Sequence, residues 1–218
     1  MSFDLSFVRR NLPVFFEGMV VTLELAVLAI VISLVWGLVV TILRLWGPAP
    51  LRWLAAAYVE LVRNTPVLVQ IYFIYFGLAV AGVRVTGFGS ALIALAAQNG
   101  GYMAEIYRAG IQSISIKQIE SAKALGMRLP TILSIVVLPQ AFRRVIPPIG
   151  NQSILILKDT SIAATVAVAE MTQVGKMLTE RTAAAYEVFF TLALLYLALC
   201  TLVAALFRLL ERRLAFPA

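Results

Sequence analysis

Apolar runs long enough to cross a bilayer, separated by short polar stretches, set the pattern of this chain. A helix needs about 20 mainly apolar residues to span the ~30 Å hydrocarbon core. After a polar start, Met19 to Leu43 meets that length, with Gly18, Thr22 and Glu24 near its outer end. Ala55 to Val62 reads as an interfacial helix leading into Arg63-Asn64-Thr65-Pro66, and a second span, rich in Tyr and Phe, runs from about Pro66 to Ala81. Gly82 to Gly89 is an outer loop, and Ser90 to Ile111 a third span. Pro147-Pro148 opens a fourth span that reaches about Ala169. A polar outer stretch, Glu170 to Glu187, precedes a fifth span from Val188 to Leu210. Trp46 and Trp53 flank the Gly-Pro-Ala-Pro turn, as aromatic residues do at a membrane interface. The pattern predicts an all-α membrane protein of five transmembrane helices, one domain over residues 1–218, without internal repeats.

One stretch breaks the oily pattern. From Ser115 to Pro139 polar residues alternate with a helical apolar period. Ser115 and Gln118 have the spacing of a capping box. Ile119, Ala122 and Leu125 recur every three residues, with Lys117, Glu120 and Lys123 on other faces. Gly126 and Pro130 stop that helix, and a second run from Thr131 to Leu138 ends at Pro139. The expectation is a compact helix-turn-helix in water, slung between membrane spans.

Composition sharpens this picture. Of 218 residues, 61% are hydrophobic and 13% charged, with a mean hydropathy of +0.94, so the solvent is lipid. Cys200 is alone in an apolar run and gives no disulfide framework. The absence of His removes the commonest metal ligand and general base. Arg9 and Arg10 are not followed by a short apolar run with a small-residue cleavage site, so a cleaved leader is not expected. The net charge of +7 could suggest nucleic acid, but the basic residues are scattered at span ends, which points to topology instead. Arg44, Arg52, Arg108, Lys117, Lys123, Arg128, Arg143, Arg144, Arg208, Arg212 and Arg213 share one side. Arg9, Arg10, Arg84, Lys176 and Arg181 take the other, and Arg63 and Lys158 are unassigned. Eleven against five predicts a cytoplasmic 115–139 loop and C-terminus and an external N-terminus.

Charges inside a bilayer usually face protein or water. In the third span Gln98, Tyr102, Glu105 and Gln112 form a polar stripe, and Glu105 can pair with Arg108 three residues on. The stripe fits either a hydrogen-bonded helix contact or the lining of a solute pathway. Gln98, nearest mid-membrane, is the pathway candidate, and Arg108 an inner-end anchor. In the fourth span, counting from Pro147, Lys158 and Asp159 fall about 16–18 Å along the axis, near mid-bilayer. Asn151 and Gln152 precede them by two turns, and Thr160 and Ser161 follow. A structural Lys–Asp pair would explain the charges; a polar route through one helix would explain the whole stripe.

These residues carry a family resemblance. Glu120-Ser121-Ala122, then Gly126, then Val136-Val137-Leu138-Pro139 is similar to the E-A-A-x-x-x-G-x9-I-x-L-P loop of ABC importer permeases, with Ser121 replacing Ala and Val136 replacing Ile. Arg63-Asn64-Thr65-Pro66-Val67-Leu68-Val69-Gln70 looks like the R-x-T-P-x-L-x-Q segment of polar amino acid uptake permeases. Tyr102 to Arg108 is similar to their A-Y-x-x-E-x-x-R, with Gly101 for Ala. Gln118-Ile119-Glu120 matches G-Q-x-E with Lys117 for Gly, and Leu157 to Ser161 matches L-K-D-T-S. The likeness covers about residues 15 to 213.

The resemblance implies a type I ABC importer permease fold whose 115–139 loop is the coupling helix. Gln118, Glu120, Ser121, Ala122, Gly126, Leu138 and Pro139 are then the ATPase-docking residues, with Glu120 and Gly126 serving docking rather than folding. It also implies a substrate pathway through Thr65, Gln70, Gln98, Tyr102, Asn151, Gln152, Asp159, Thr160 and Ser161. Expected partners are two ABC ATPase subunits, a second permease copy, an extracytoplasmic amino-acid-binding protein and the lipid of a bacterial inner membrane, with no nucleic acid. No cofactor is expected, and no G-x-x-x-x-G-K-[ST] loop is present, so hydrolysis would occur in another subunit. Gln152 puts a neutral amide on the fourth-span stripe, which favours a neutral polar or acidic amino acid, glutamine or glutamate foremost. The rivals are a stand-alone secondary amino acid transporter, which needs coupling-ion sites and usually paired repeats, and an intramembrane hydrolase, for which Lys158 with Ser161 is the candidate pair.

Overall fold

The computed structural model describes residues 3–214, and among these every regular element is helical. The C-terminal tail that the charge count places in the cytoplasm, including Phe216, lies outside the described residues.

Helix α1 runs from Leu5 to Trp46, far longer than the apolar run from Met19. The Asp4 carboxylate accepts the Ser6 and Phe7 N–H groups at 2.8 and 3.1 Å, so the polar start is already helical. After the Gly47-Pro48 turn, α2 (Ala49–Arg63) begins six residues before the expected Ala55, with a proline in its first turn where no N–H is needed. Pro66 then forces a break, and α3 (Val67–Val80) leaves α2 at 105°. Helix α4 spans Gly87–Gln112.

Helix α5 (Ile116–Ala124) has no capping box: the Ser115 side chain makes no cap hydrogen bond, and the Gln118 amide oxygen instead accepts from Gln140 Nε2 at 2.8 Å. Its end follows the left-handed glycine pattern. Gly126, at φ +77°, donates to Lys123 O, and Met127 donates to Ala122 O. A Cβ at Gly126 would meet nothing within 4 Å, so the demand for glycine is conformational and belongs to folding. That corrects the expectation of a docking role alone. Leu125 caps the helix and is 82% exposed, so the apolar stripe stops at Ala122.

Pro139 does not end the second run, and Pro147-Pro148 opens nothing. Helix α6 is continuous from Leu129 to Val166. A wide π-type turn at Ile132–Val137 sits just before Pro139, which has no N–H to give. Buried Val145, Ile146 and Gly150 hold the backbone helical across Pro147 and Pro148. Asp159 ends the α-helical part, just before a 3-10 turn at Thr160–Val166. The polar stretch from Glu170 is largely helical. Glu170 is wholly buried and caps α7 (Met171–Thr182), accepting from Thr172 N at 2.9 Å and Gln173 N at 2.7 Å. Burial pushes its carboxyl above the ordinary range, and the bonds to Thr172 and Gln173 pull against that. Helix α8 (Ala185–Leu214) completes the chain.

By length and hydropathy α1, α6 and α8 qualify as spans, and α2 with α3 makes a bent fourth. Helix α4 is about 39 Å long at 1.5 Å per residue, enough to cross. It is less apolar because α1, α2, α3 and α6 wrap it, so few of its side chains need to suit lipid. Its contact with α1 is the most extensive helix pairing among the described residues. Ala29, Ser33, Gly37 and Thr41, each four apart, put a small-residue face against it. Ser33 and Thr41 donate to the backbone one turn back and reach Ala96 O (3.4 Å) and Ala104 O (3.1 Å) across the interface. A Cβ on Gly37 would lie 2.5 Å from Met103 Cβ and 2.9 Å from Gly100 O. Gly37→Val therefore forces the two helices apart and costs about 1–3 kcal/mol. The expected outcome is a clear drop in the thermal midpoint of the detergent-purified protein; an unchanged midpoint would contradict the contact.

Candidate functional site

The broken hairpin of α2 and α3 creates the site. A break inside a bilayer strands carbonyls that must find donors. Gln70 Nε2 reaches Val62 O at 2.9 Å and Thr65 O at 3.1 Å, and Gln98 Nε2 from α4 reaches Thr65 O at 2.8 Å. The Thr65 hydroxyl turns back to Leu61 O, and Asn64 Nδ2 to Glu60 O. Thr65, Gln70 and Gln98, expected along a pathway, are thus brought together at the break with their donors used on backbone.

Just beyond the break, Arg63, Tyr102, Glu105, Ser113, Arg144 and Gln152 face a cavity of about 460 Å³ between α2, α4 and α6. That is within the ~300–1,000 Å³ typical of small-molecule sites. The Arg63 guanidinium carbon stands 5.1 Å from the centroid of the Tyr102 ring, a cation–π arrangement. Tyr102 Oη in turn donates to Arg63 O at 3.4 Å. Glu105 pairs with Arg108, which donates Nε at 3.1 Å and Nη2 at 2.5 Å, as its i,i+3 spacing predicts. It also pairs with Arg44 of α1. Arg108 extends the network to Gln112 Oε1 at 2.7 Å. Sequence reasoning missed Arg44, which is 61 residues from Glu105. The available signal was that one acidic residue in the third span faced a basic residue at the inner end of the first.

Gln152 also lines the cavity and donates Nε2 to Asn99 Oδ1 at 2.7 Å. Asn151, one residue away, points about 100° round the helix. It lines a separate cleft with Phe207, Arg208 and Glu211 of α8, so the two amides do not share a stripe. Thr160 is buried and donates to Leu157 O, and Ser161 donates to Lys158 O. Asp159 is half-buried beside them. Lys158 and Asp159 form no ion pair among the described residues, since neighbours in a helix point apart. None of Asp159, Thr160 and Ser161 reaches the cavity.

The loop residues divide. Gln118, Glu120, Ser121, Gly126, Leu138 and Pro139 are exposed. Ala122 is buried with Ile114, Ile132, Val137 and Ala141 in a small core joining α5 to the start of α6. Beside that core runs an open cleft of about 480 Å³ flanked by Gln118, Ser121, Leu125 and Gln140.

Residues 29–216 match the family described as "Binding-protein-dependent transport system inner membrane component". The probable glutamine ABC transporter permease protein GlnM of Bacillus subtilis (strain 168) is 36% identical over 211 residues, 97% of this chain and 98% of that protein. The glutamine transport system permease protein GlnP of Escherichia coli (strain K12) is 35% identical over 215 residues, 98% of each chain. Among solved structures, one titled "Crystal structure of an amino acid ABC transporter with histidines" superposes with a TM-score of 0.93 at 32% identity, over 98% of this chain and 100% of that one.

Replacing Glu105 with Leu leaves Arg44 and Arg108 without their carboxylate at a largely covered site. The expected cost is on the order of 1–3 kcal/mol. Thermal unfolding should show it, and Arg44→Met in the Glu105→Leu background should recover part of the loss. No difference between Glu105→Leu and the parent would remove the network from the account.

Proposed function

We propose that this chain, which belongs to the family of binding-protein-dependent transport system inner membrane components, is the permease of a bacterial ABC importer for polar amino acids. Two ATPase subunits power it, a second permease copy completes the passage, and an extracytoplasmic binding protein delivers substrate. The observation that carries this reading is the 115–139 module. It packs its own core through Ala122, yet leaves Gln118 and Ser121 exposed along an open cleft and Glu120 and Leu138 exposed elsewhere on its surface. A helix pair held rigid on one side and bare on the other is built to be pushed. ATP-driven closure of the ATPases would move it and tilt the bundle between two access states, a two-state equilibrium biased by nucleotide. The 105° break between α2 and α3 supplies the adjacent cavity in which a solute with polar ends would rest.

Substrate preference follows from the neutral amide at Gln152: it gives a cationic side chain no carboxylate to pair with, which favours a neutral polar or acidic amino acid, glutamine or glutamate foremost, over arginine, lysine or histidine. Orientation follows the basic residues: the α5 module and C-terminus are cytoplasmic and the N-terminus is external.

Reconstitution of the permease with its ATPase and binding protein in lipid tests the function. Glutamine or glutamate should stimulate ATP hydrolysis most in an amino-acid panel, and Glu120→Lys should weaken ATPase assembly while leaving membrane insertion intact. Strong stimulation by arginine alone, or normal transport by Glu120→Lys at equal expression, counts against the reading. Independently, reporters placed within Gly82–Gly89 should read external and one after Phe216 cytoplasmic. Opposite signals at both sites would reverse the topology and with it the docking assignment.

A further inference from the structure

Three charged side chains line the α2–α4–α6 cavity, and their availability differs. Glu105 is spent: Arg44 takes Oε1 and Arg108 takes Oε2 twice. Arg144 is exposed and donates Nη1 to Ser113 O at 2.6 Å. Arg63 forms no ion pair among the described residues, and its Nε is buried with no hydrogen-bond partner. A buried donor left open is rare in a folded protein. The guanidinium is nonetheless held in place over the Tyr102 ring, whose hydroxyl is tied to the carbonyl of the same arginine.

The Gln152 side of the cavity is equally specific. Leu95 O can only accept, so Asn99 faces it with Nδ2, at 2.8 Å. Asn99 Oδ1 therefore points at Gln152, which must donate through Nε2. Gln152 Oε1 is left as an acceptor on the cavity wall. The cavity thus offers an open guanidinium fork, one open amide acceptor, and no free carboxylate.

Building on the permease reading, we propose that Arg63 receives the α-carboxylate of the amino acid in transit and Gln152 Oε1 its α-ammonium. A fork of guanidinium N–H groups fits a carboxylate bidentately, and a lone acceptor fits an ammonium. The side chain of the substrate then faces a wall whose carboxylate is already neutralised, so cationic side chains find no partner there. Sequence order hides this pairing, because Arg63 and Gln152 come from different helices and meet only around α4.

The test uses the complete permease–ATPase complex in lipid nanodiscs without binding protein, titrated with L-glutamine and with L-glutaminamide, which lacks the carboxylate. The parent should bind glutamine roughly tenfold or more tighter than the amide. Arg63→Gln should abolish that preference, bringing the two ligands within about twofold, and Arg63→Lys should fall between. A merely structural role would weaken both ligands alike and keep their ratio. An intact preference in Arg63→Gln, or its loss in Arg144→Gln instead, overturns the assignment. Stimulation of ATP hydrolysis by the loaded binding protein reports separately on the permease reading: it persists if only the Arg63 assignment fails and is absent if the permease reading fails.

Discussion

Everything in this bundle hangs from the close approach of α1 to α4. Between helices in lipid the hydrophobic effect offers little, so association rests on van der Waals contact and interhelical hydrogen bonds. Ser33, Gly37 and Thr41 provide both: the glycine removes the volume that would hold the backbones apart, and the hydroxyls reach carbonyls of α4. Trp36 adds a third helix to the same joint. Its Nε1 donates to Tyr58 Oη of α2 at 2.8 Å, and that hydroxyl donates to Ala97 O of α4 at 2.5 Å. With α4 fixed at the centre, its polar side chains need not meet lipid, and they become available to the broken helix beside it.

That break is where structure turns toward function. Pro66 denies the backbone one N–H, and the carbonyls it frees would be costly in hydrocarbon. Gln70 and Gln98 satisfy them. The same geometry turns Arg63 against Tyr102 at the edge of a cavity, beside the Arg44–Glu105–Arg108 cluster that neutralises the nearest carboxylate. A segment whose pattern suggests solute contact thus spends Thr65 and Gln70 on its own backbone, and the cavity lies next to them.

The sequence by itself determined the helical class, the presence of long apolar helices, the special status of residues 115–139 and the Glu105–Arg108 pair. Each of these follows from composition or from spacing within one helix, which a linear string records faithfully. Helix ends were less legible. Met19, Pro139 and Pro147 mark changes in hydropathy or a missing N–H, whereas a helix ends only when its backbone bonds run out, and packing at Val145, Ile146 and Gly150 carried α6 through its prolines. Tertiary structure alone decided that Arg44 completes the Glu105 cluster, that Glu170 is buried, that Asn151 and Gln152 face different neighbours, and that Arg63 is left open. All four depend on which helix stands beside which, and that is fixed by volume and hydrogen bonds between residues tens of positions apart.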